Sequence, residues 1–165
     1  MIDLVVVGHG TFAVDMEKAV KFFDGELEGF YGLDCQKGID FEQYKTSLEV
    51  LFQKAGNDIL VLADMMDGSP YRAATQLAKE LRTSKNIDVI SGFNLGMVLQ
   101  ANVARTYVSN VHDLATLAFF FTFPSFRGLI VIFSKKFSHI LSVTVLVIQV
   151  NQQFSVMALV VIFAT

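Results

Sequence analysis

Short apolar runs alternate with longer stretches in which apolar residues recur every three or four positions. Residues 2–7 and 59–63 are apolar almost throughout, which suits strands covered on both faces. Residues 28–35 and 87–91 are mixed but flanked by turn residues, and read as two further strands. Between the first two strands, Phe12, Met16, Ala19, Val20 and Phe23 share one face of a helix over residues 11–24. Phe41, Tyr44, Leu48, Leu51 and Phe52 do the same over 41–55. Helices are also predicted over residues 70–83 and 95–106, with another starting at Asn110 or Asp113. Thr11, Asp40, Ser69 and Asn94 stand where a side chain can cap a first turn, and Pro70 suits a first helical position.

The order is therefore β-α-β-α-β-α-β-α. Such alternation implies an α/β fold: an open, mainly parallel four-stranded sheet with helices on both faces and right-handed crossovers. The carboxyl ends of all four strands then share one edge, where ligands bind in open α/β sheets. Four polar residues lie in loops on that edge: His9 between Gly8 and Gly10, then Asp64, Ser69 and Asn94.

The chemistry those residues permit follows from the imidazole. With a reference pKa of about 6.5, a neutral histidine is a competent nucleophile near pH 7. A carboxylate on one ring nitrogen fixes the tautomer and leaves the other to attack. Asp64, ending another strand, is the candidate partner. If the electrophile is phosphorus, N–H donors must meet the transferred group. The helix starts after Gly10 and at Ser69 are the candidate donors, together with the Ser69 hydroxyl. No nucleotide P-loop pattern occurs, so the phosphoryl group would come from another protein or a small donor.

Composition narrows the partners. All 16 acidic residues lie between Asp3 and Asp113, against ten of the 13 basic ones, so residues 1–116 carry a net −6. That balance argues against nucleic acid. The single cysteine, Cys35, excludes an internal disulfide and fits a reducing compartment; it reads as a half-buried residue ending a strand. No Cys/His/carboxylate cluster has metal-ligand spacing, and the first residues lack a signal-peptide pattern. His112 and His139 read as incidental surface residues.

Three segments together resemble a known family. Val-Val-Gly-His-Gly-Thr-Phe-Ala (6–13) resembles the active-site segment of mannose-family enzyme IIA domains of the bacterial sugar phosphotransferase system. Leu-Ala-Asp-Met-Met-Asp-Gly-Ser-Pro-Tyr (62–71) resembles that family's second segment, an aspartate before a G-[ST]-P turn. Gly-Phe-Asn-Leu-Gly-Met (92–97) resembles its third, a G-x-N-x-x-M loop. The resemblance implies that His9 accepts a phosphoryl group from the phosphocarrier HPr and passes it to the cognate enzyme IIB. It implies that Asp64 orients His9, and that Gly10, Thr11, Gly68 and Ser69 bind phosphate, with Asn94 in an active-site loop. It implies no metal and no other cofactor, a cytoplasmic protein beside the membrane subunits of a sugar transporter, and dimers that exchange a C-terminal strand. The alternatives are a non-catalytic regulatory or binding module on this fold, or an inactive truncated relative.

Departures from the family pattern are Asp15, where a small residue is usual, and Met65, where some members carry a hydroxyl. The largest is the C-terminus. Residues 1–116 read as the family domain, and residues 117–165 as an atypical apolar tail. That tail has no acidic residue and only Arg127, Lys135 and Lys136 as bases. Its readings are a segment not native in type, such as the product of a reading-frame change; extra strands or an oligomer contact; or a membrane anchor, which the polar cluster Gln149–Gln153 interrupts. If the tail replaces the exchanged strand, the expectation of a homodimer is no longer secure. High β propensity with few charges also makes the tail an aggregation hazard.

Overall fold

A computed structural model of the protein describes residues 1–119 with their side chains, and the backbone of 120, 129–133, 144–150 and 156–162. Four strands, β1 (Asp3–His9), β2 (Phe30–Cys35), β3 (Asp58–Ala63) and β4 (Asn86–Ser91), form one sheet in the order β2-β1-β3-β4. Every pairing in it is parallel. The helices are α1 (Phe12–Asp24), α2 (Phe41–Lys54), α3 (Ser69–Glu80), α4 (Leu95–Ala104) and α5 (Val111–Phe120).

Strand alternation builds two cores. Leu4 and Val6 of β1, with Leu60 and Leu62 of β3, pack with Ala13, Met16 and Val20 of α1 and with residues of α4 and α5. Val5 and Val7, with Ile59, Val61 and Ala63, pack with Tyr44, Leu48 and Phe52 of α2 and Ala73, Ala74 and Leu77 of α3. Both faces of β1 and β3 are therefore buried, which is why those strands read as unbroken apolar runs. Each fully buried Val or Leu contributes about 1.5–3 kcal/mol of transfer free energy.

Handedness assigns the helices to faces. The step from β1 to β2 runs one way across the sheet, whereas β2 to β3 and β3 to β4 run the other. Right-handed crossovers then put α1 on one face and α2 and α3 on the opposite one. The reversal lies between β1 and β3, so the crevice expected at a switch point opens at the carboxyl ends of those two strands.

Two helix starts differ from expectation. Thr11 occupies the N-cap position of α1, but its side chain makes no cap bond. Asp34 of β2 reaches across instead, accepting from the Ala13 and Val14 N–H groups at 3.0 Å each. Helix α3 starts one residue early: Gly68 is its N-cap, and Ser69 precedes Pro70 inside the first turn. The extended Gly68 (φ −65°, ψ 161°) accepts the Arg72 N–H at 2.9 Å as the first bond of the helix, and Ser69, one position further on, is not the capping residue. Asp40 and Asn94 cap α2 and α4 as expected. Asn110 caps α5, accepting from the His112 and Asp113 N–H groups.

The chain divides into compact units, Met1–Thr122 and Phe123–Thr165. The composition break near residue 117 falls inside α5, where Ala118 is buried. In the second unit β5 (Leu129–Phe133), β6 (Thr144–Val150) and β7 (Val156–Ile162) form an antiparallel sheet in that order. His139 and the Asn151, Gln152 and Gln153 part of the polar cluster lie outside the described residues. Among the described residues no helix is long and apolar enough to cross a membrane.

Candidate functional site

His9 is the last residue of β1, and Asp64 immediately follows β3, the neighbouring strand. The Asp64 N–H donates to the Val7 carbonyl at 3.0 Å, which fixes the aspartate backbone beside the end of β1. Gly8 lies against the carboxyl group: a Cβ there would be in ordinary contact with it, 3.4 Å from the Asp64 Cγ. Asp64 Oδ2 accepts the His9 backbone N–H at 2.8 Å and lies 2.9 Å from His9 Nδ1. A carboxylate only accepts, so the paired Nδ1 carries the ring proton and Nε2 keeps its lone pair. The His9 side chain is 43% exposed and that of Asp64 12%, so the imidazole faces solvent over a shielded carboxylate.

The other side of the ring meets the start of α3. A Cβ on Gly68 would lie 2.7 Å from His9 Cε1 and 3.4 Å from Nε2. Only glycine allows this approach without displacing the ring. Asp67, just before it, has φ +60°, and this left-handed residue turns the loop into the helix. First-turn N–H groups have no intrahelical acceptor, so those of Ser69 and Tyr71 are available beside Nε2; Pro70 has none.

The start of α1 is arranged differently. Gly10 (φ +65°) donates its N–H to the Cys35 carbonyl at 3.0 Å, so that group is already bonded. Asp34 holds the next two helical donors, leaving those of Thr11 and Phe12. Asp15 points to Lys18, 2.9 Å away. Its carboxyl is held below the usual range by hydrogen bonds from Lys18 and then from Thr11. The charge that departs from the family pattern is thus paired with a lysine.

Met65 and Met66 are exposed, and the Met65 methyl lies 3.4 Å from the position a Gly68 Cβ would take. Phe12, also exposed, stacks on the buried Phe93 with centroids 5.1 Å apart, which joins the Gly92–Asn94 loop to the start of α1. The loops that flank the histidine thus expose Phe12, Met65 and Met66. Asn94 itself is engaged in capping, accepting from the Met97 N–H at 3.0 Å.

Cys35 is buried rather than half-buried, and burial, then the Asp64 charge, pushes its thiol pKa up. His112 is a surface residue with Nδ1 3.1 Å from Asp88. Asp34 and Gln36 bear on the His9 turn and were not singled out in the sequence. Their contacts lie twenty or more positions back in the chain, where no local pattern registers them.

The family model described as "PTS system fructose IIA component" matches residues 3–118. The fructose-specific EIIA component of Bacillus subtilis (strain 168) is 25% identical over 113 residues, covering 66% of this chain and 74% of that protein. The sorbose-specific EIIA component of Lacticaseibacillus casei is 27% identical over 115 residues, covering 65% and 76%. Among solved structures, the phosphotransferase system component EIIA from Streptococcus agalactiae superposes with a TM-score of 0.69 at 29% identity, covering 74% of this chain and 92% of that one. The mannose/sorbose-specific IIA subunit from Enterococcus faecalis gives 0.64 at 25% identity, covering 82% and 98%.

Proposed function

The chain belongs to the fructose/mannose family of phosphotransferase-system IIA components, and from that premise we propose that His9 is its phosphoryl acceptor. Membership makes it a sugar phosphotransferase-system component with phosphotransferase chemistry, working with other proteins of that system. The finer reading is a carrier: His9 takes the group from phosphorylated HPr and delivers it to the cognate enzyme IIB. The observation that carries this reading is the His9–Asp64 pair, which leaves Nε2 unprotonated against Gly68 at the start of α3.

In the forward step the bond between phosphorus and the donor imidazole nitrogen breaks as one to His9 Nε2 forms. The electron pair of the broken bond leaves with the donor ring. The Nδ1 proton stays on His9, and the Asp64 carboxylate stabilises the positive charge that develops there. The Ser69 hydroxyl and the Ser69 and Tyr71 N–H groups meet the phosphoryl oxygens, aided by the α3 dipole. Thr11 adds its N–H from α1. Gly10 acts by shaping the turn and Gly68 by its clearance. Phe12, Met65 and Met66 suit a partner that docks briefly around an exposed histidine. Residues 1–116 suffice for all of these contacts.

The test is incubation with phosphorylated HPr, followed by mass spectrometry with the modified residue mapped. The wild type is expected to gain one phosphoryl group on His9, and His9→Gln none while keeping its fold. Label on another residue, or undiminished label in His9→Gln, overturns the reading. Partner binding without any phosphoryl uptake by the wild type points to a regulatory module instead.

A further inference from the structure

The loop that carries His9 is held from outside by the end of β2. Residues Asp34, Cys35 and Gln36 each bind a different part of it. Cys35, the register partner of His9, accepts the Gly10 N–H through its carbonyl. Gln36 Nε2 donates to the Gly10 carbonyl at 3.0 Å. Asp34 takes the Ala13 and Val14 N–H groups. Both backbone polar groups of residue 10 are thus fixed by β2 and its extension, although Gln36 itself is exposed and packs in no core.

The Gln36 bond has a directional consequence. In a trans peptide the carbonyl and the following N–H point in opposite directions. Gln36 approaches from the β2 side, so it turns the Gly10 carbonyl outward and the Thr11 N–H the other way. In the order β2-β1-β3, that other way is the side on which Asp64 and Gly68 lie. The carboxylate of Asp34 meanwhile occupies the two donors deeper in α1. The Thr11 N–H is therefore the donor at this helix start whose direction a single exposed side chain sets.

We propose that Gln36 is a positioning residue for phosphoryl transfer, orienting the Thr11 N–H toward the group on His9 Nε2. This rests on the carrier reading above. Gln36 touches neither the phosphoryl group nor the imidazole; it acts through the Gly10–Thr11 peptide. Without its bond that peptide can rotate, and the donor reaches the transition state misdirected.

The test compares full-length wild type with Gln36→Met, which keeps the side-chain length and removes the donor, and Gln36→Glu, which puts a carboxylate against the carbonyl. Single-turnover phosphorylation is followed with phosphorylated HPr. It is repeated with phosphoramidate, whose P–N bond breaks with loss of ammonia after a proton from solvent. The maximal rate constant is expected to fall about tenfold in both variants and with both donors. The half-saturating HPr concentration and the thermal midpoint stay at wild-type values. In ¹⁵N spectra the Thr11 amide shift that accompanies phosphorylation of the wild type shrinks in Gln36→Met. A maximal rate within twofold of wild type in Gln36→Met overturns the proposal. So does an effect confined to the half-saturating concentration, which assigns Gln36 to docking. If the wild type takes no label on His9 from either donor, the carrier reading fails and this one with it; if it does and the variants match it, this one fails alone.

Discussion

At the scale of single residues, the site depends on what is missing as much as on what is present. Gly68 has no side chain where the His9 ring must fit. Gly68→Ala is expected to lower the phosphorylation rate of His9 at least about tenfold through misplacement of the ring. Its thermal midpoint should change little, because the exposed ring can give way by the few tenths of an ångström required; parallel rate and melting measurements check both halves. The histidine and the aspartate were legible in the sequence, since each ends an apolar run. The glycine clearance was not, because it depends on a contact between residues 59 positions apart. Cys35 shows the same limit: its place at a strand end was readable, whereas the depth of its burial depends on the helices above it.

At the scale of elements, the notable pair is β2 and α1. Strand β2 lies at the edge of the sheet, and the Gly32 N–H points outward to Glu17 Oε2 of α1 at 2.8 Å. A Cβ on Gly32 would come 2.8 Å from the Ala13 carbonyl oxygen, so helix and strand backbones nearly touch. Gly32→Ala is therefore expected to destabilise the fold by about 1–3 kcal/mol through a backbone clash, read from denaturant midpoints. The two helix starts that departed from expectation have one physical reason. A capping rule assigns the donor's partner to the nearest polar side chain, but Asp34 reaches α1 from a neighbouring strand and the N-cap of α3 falls on Gly68, which has no side chain to offer. Strands β1 and β3 were legible because burial on both sheet faces gives unbroken apolar runs, β2 and β4 because turn residues flank them, and the helix faces because their apolar spacing is local. Helix ends were not, because tertiary partners decide them.

At the scale of the whole molecule, the opposite end of the sheet from the site is fastened by a residue that the periodicity gave no reason to single out. Arg105 follows α4 and is 4% exposed. Its guanidinium donates to the carbonyls of Ile2, Glu28 and Gly29 and to Asn102 Oδ1. Burial lowers its pKa, opposed by Asp3 and Glu28. Arg105→Met is expected to cost about 3 kcal/mol, since three carbonyls lose their donor; urea unfolding measures it, and His9 labelling should persist in the folded fraction. A chain cut after Thr122 keeps α5 whole and every site residue. It is expected to melt cooperatively and to accept phosphoryl on His9, which HPr-dependent labelling checks. The sequence by itself determined the order of elements, the parallel sheet and the shared edge of His9, Asp64, Ser69 and Asn94, because apolar periodicity and strand handedness are local properties. Only the tertiary structure decided which ring nitrogen of His9 the Asp64 carboxylate takes, which helix start keeps its donors, and that the end of β2 holds the His9 turn. Those outcomes are contacts between strands and helices distant in the chain, and distances of a few ångströms between them follow from packing rather than from spacing.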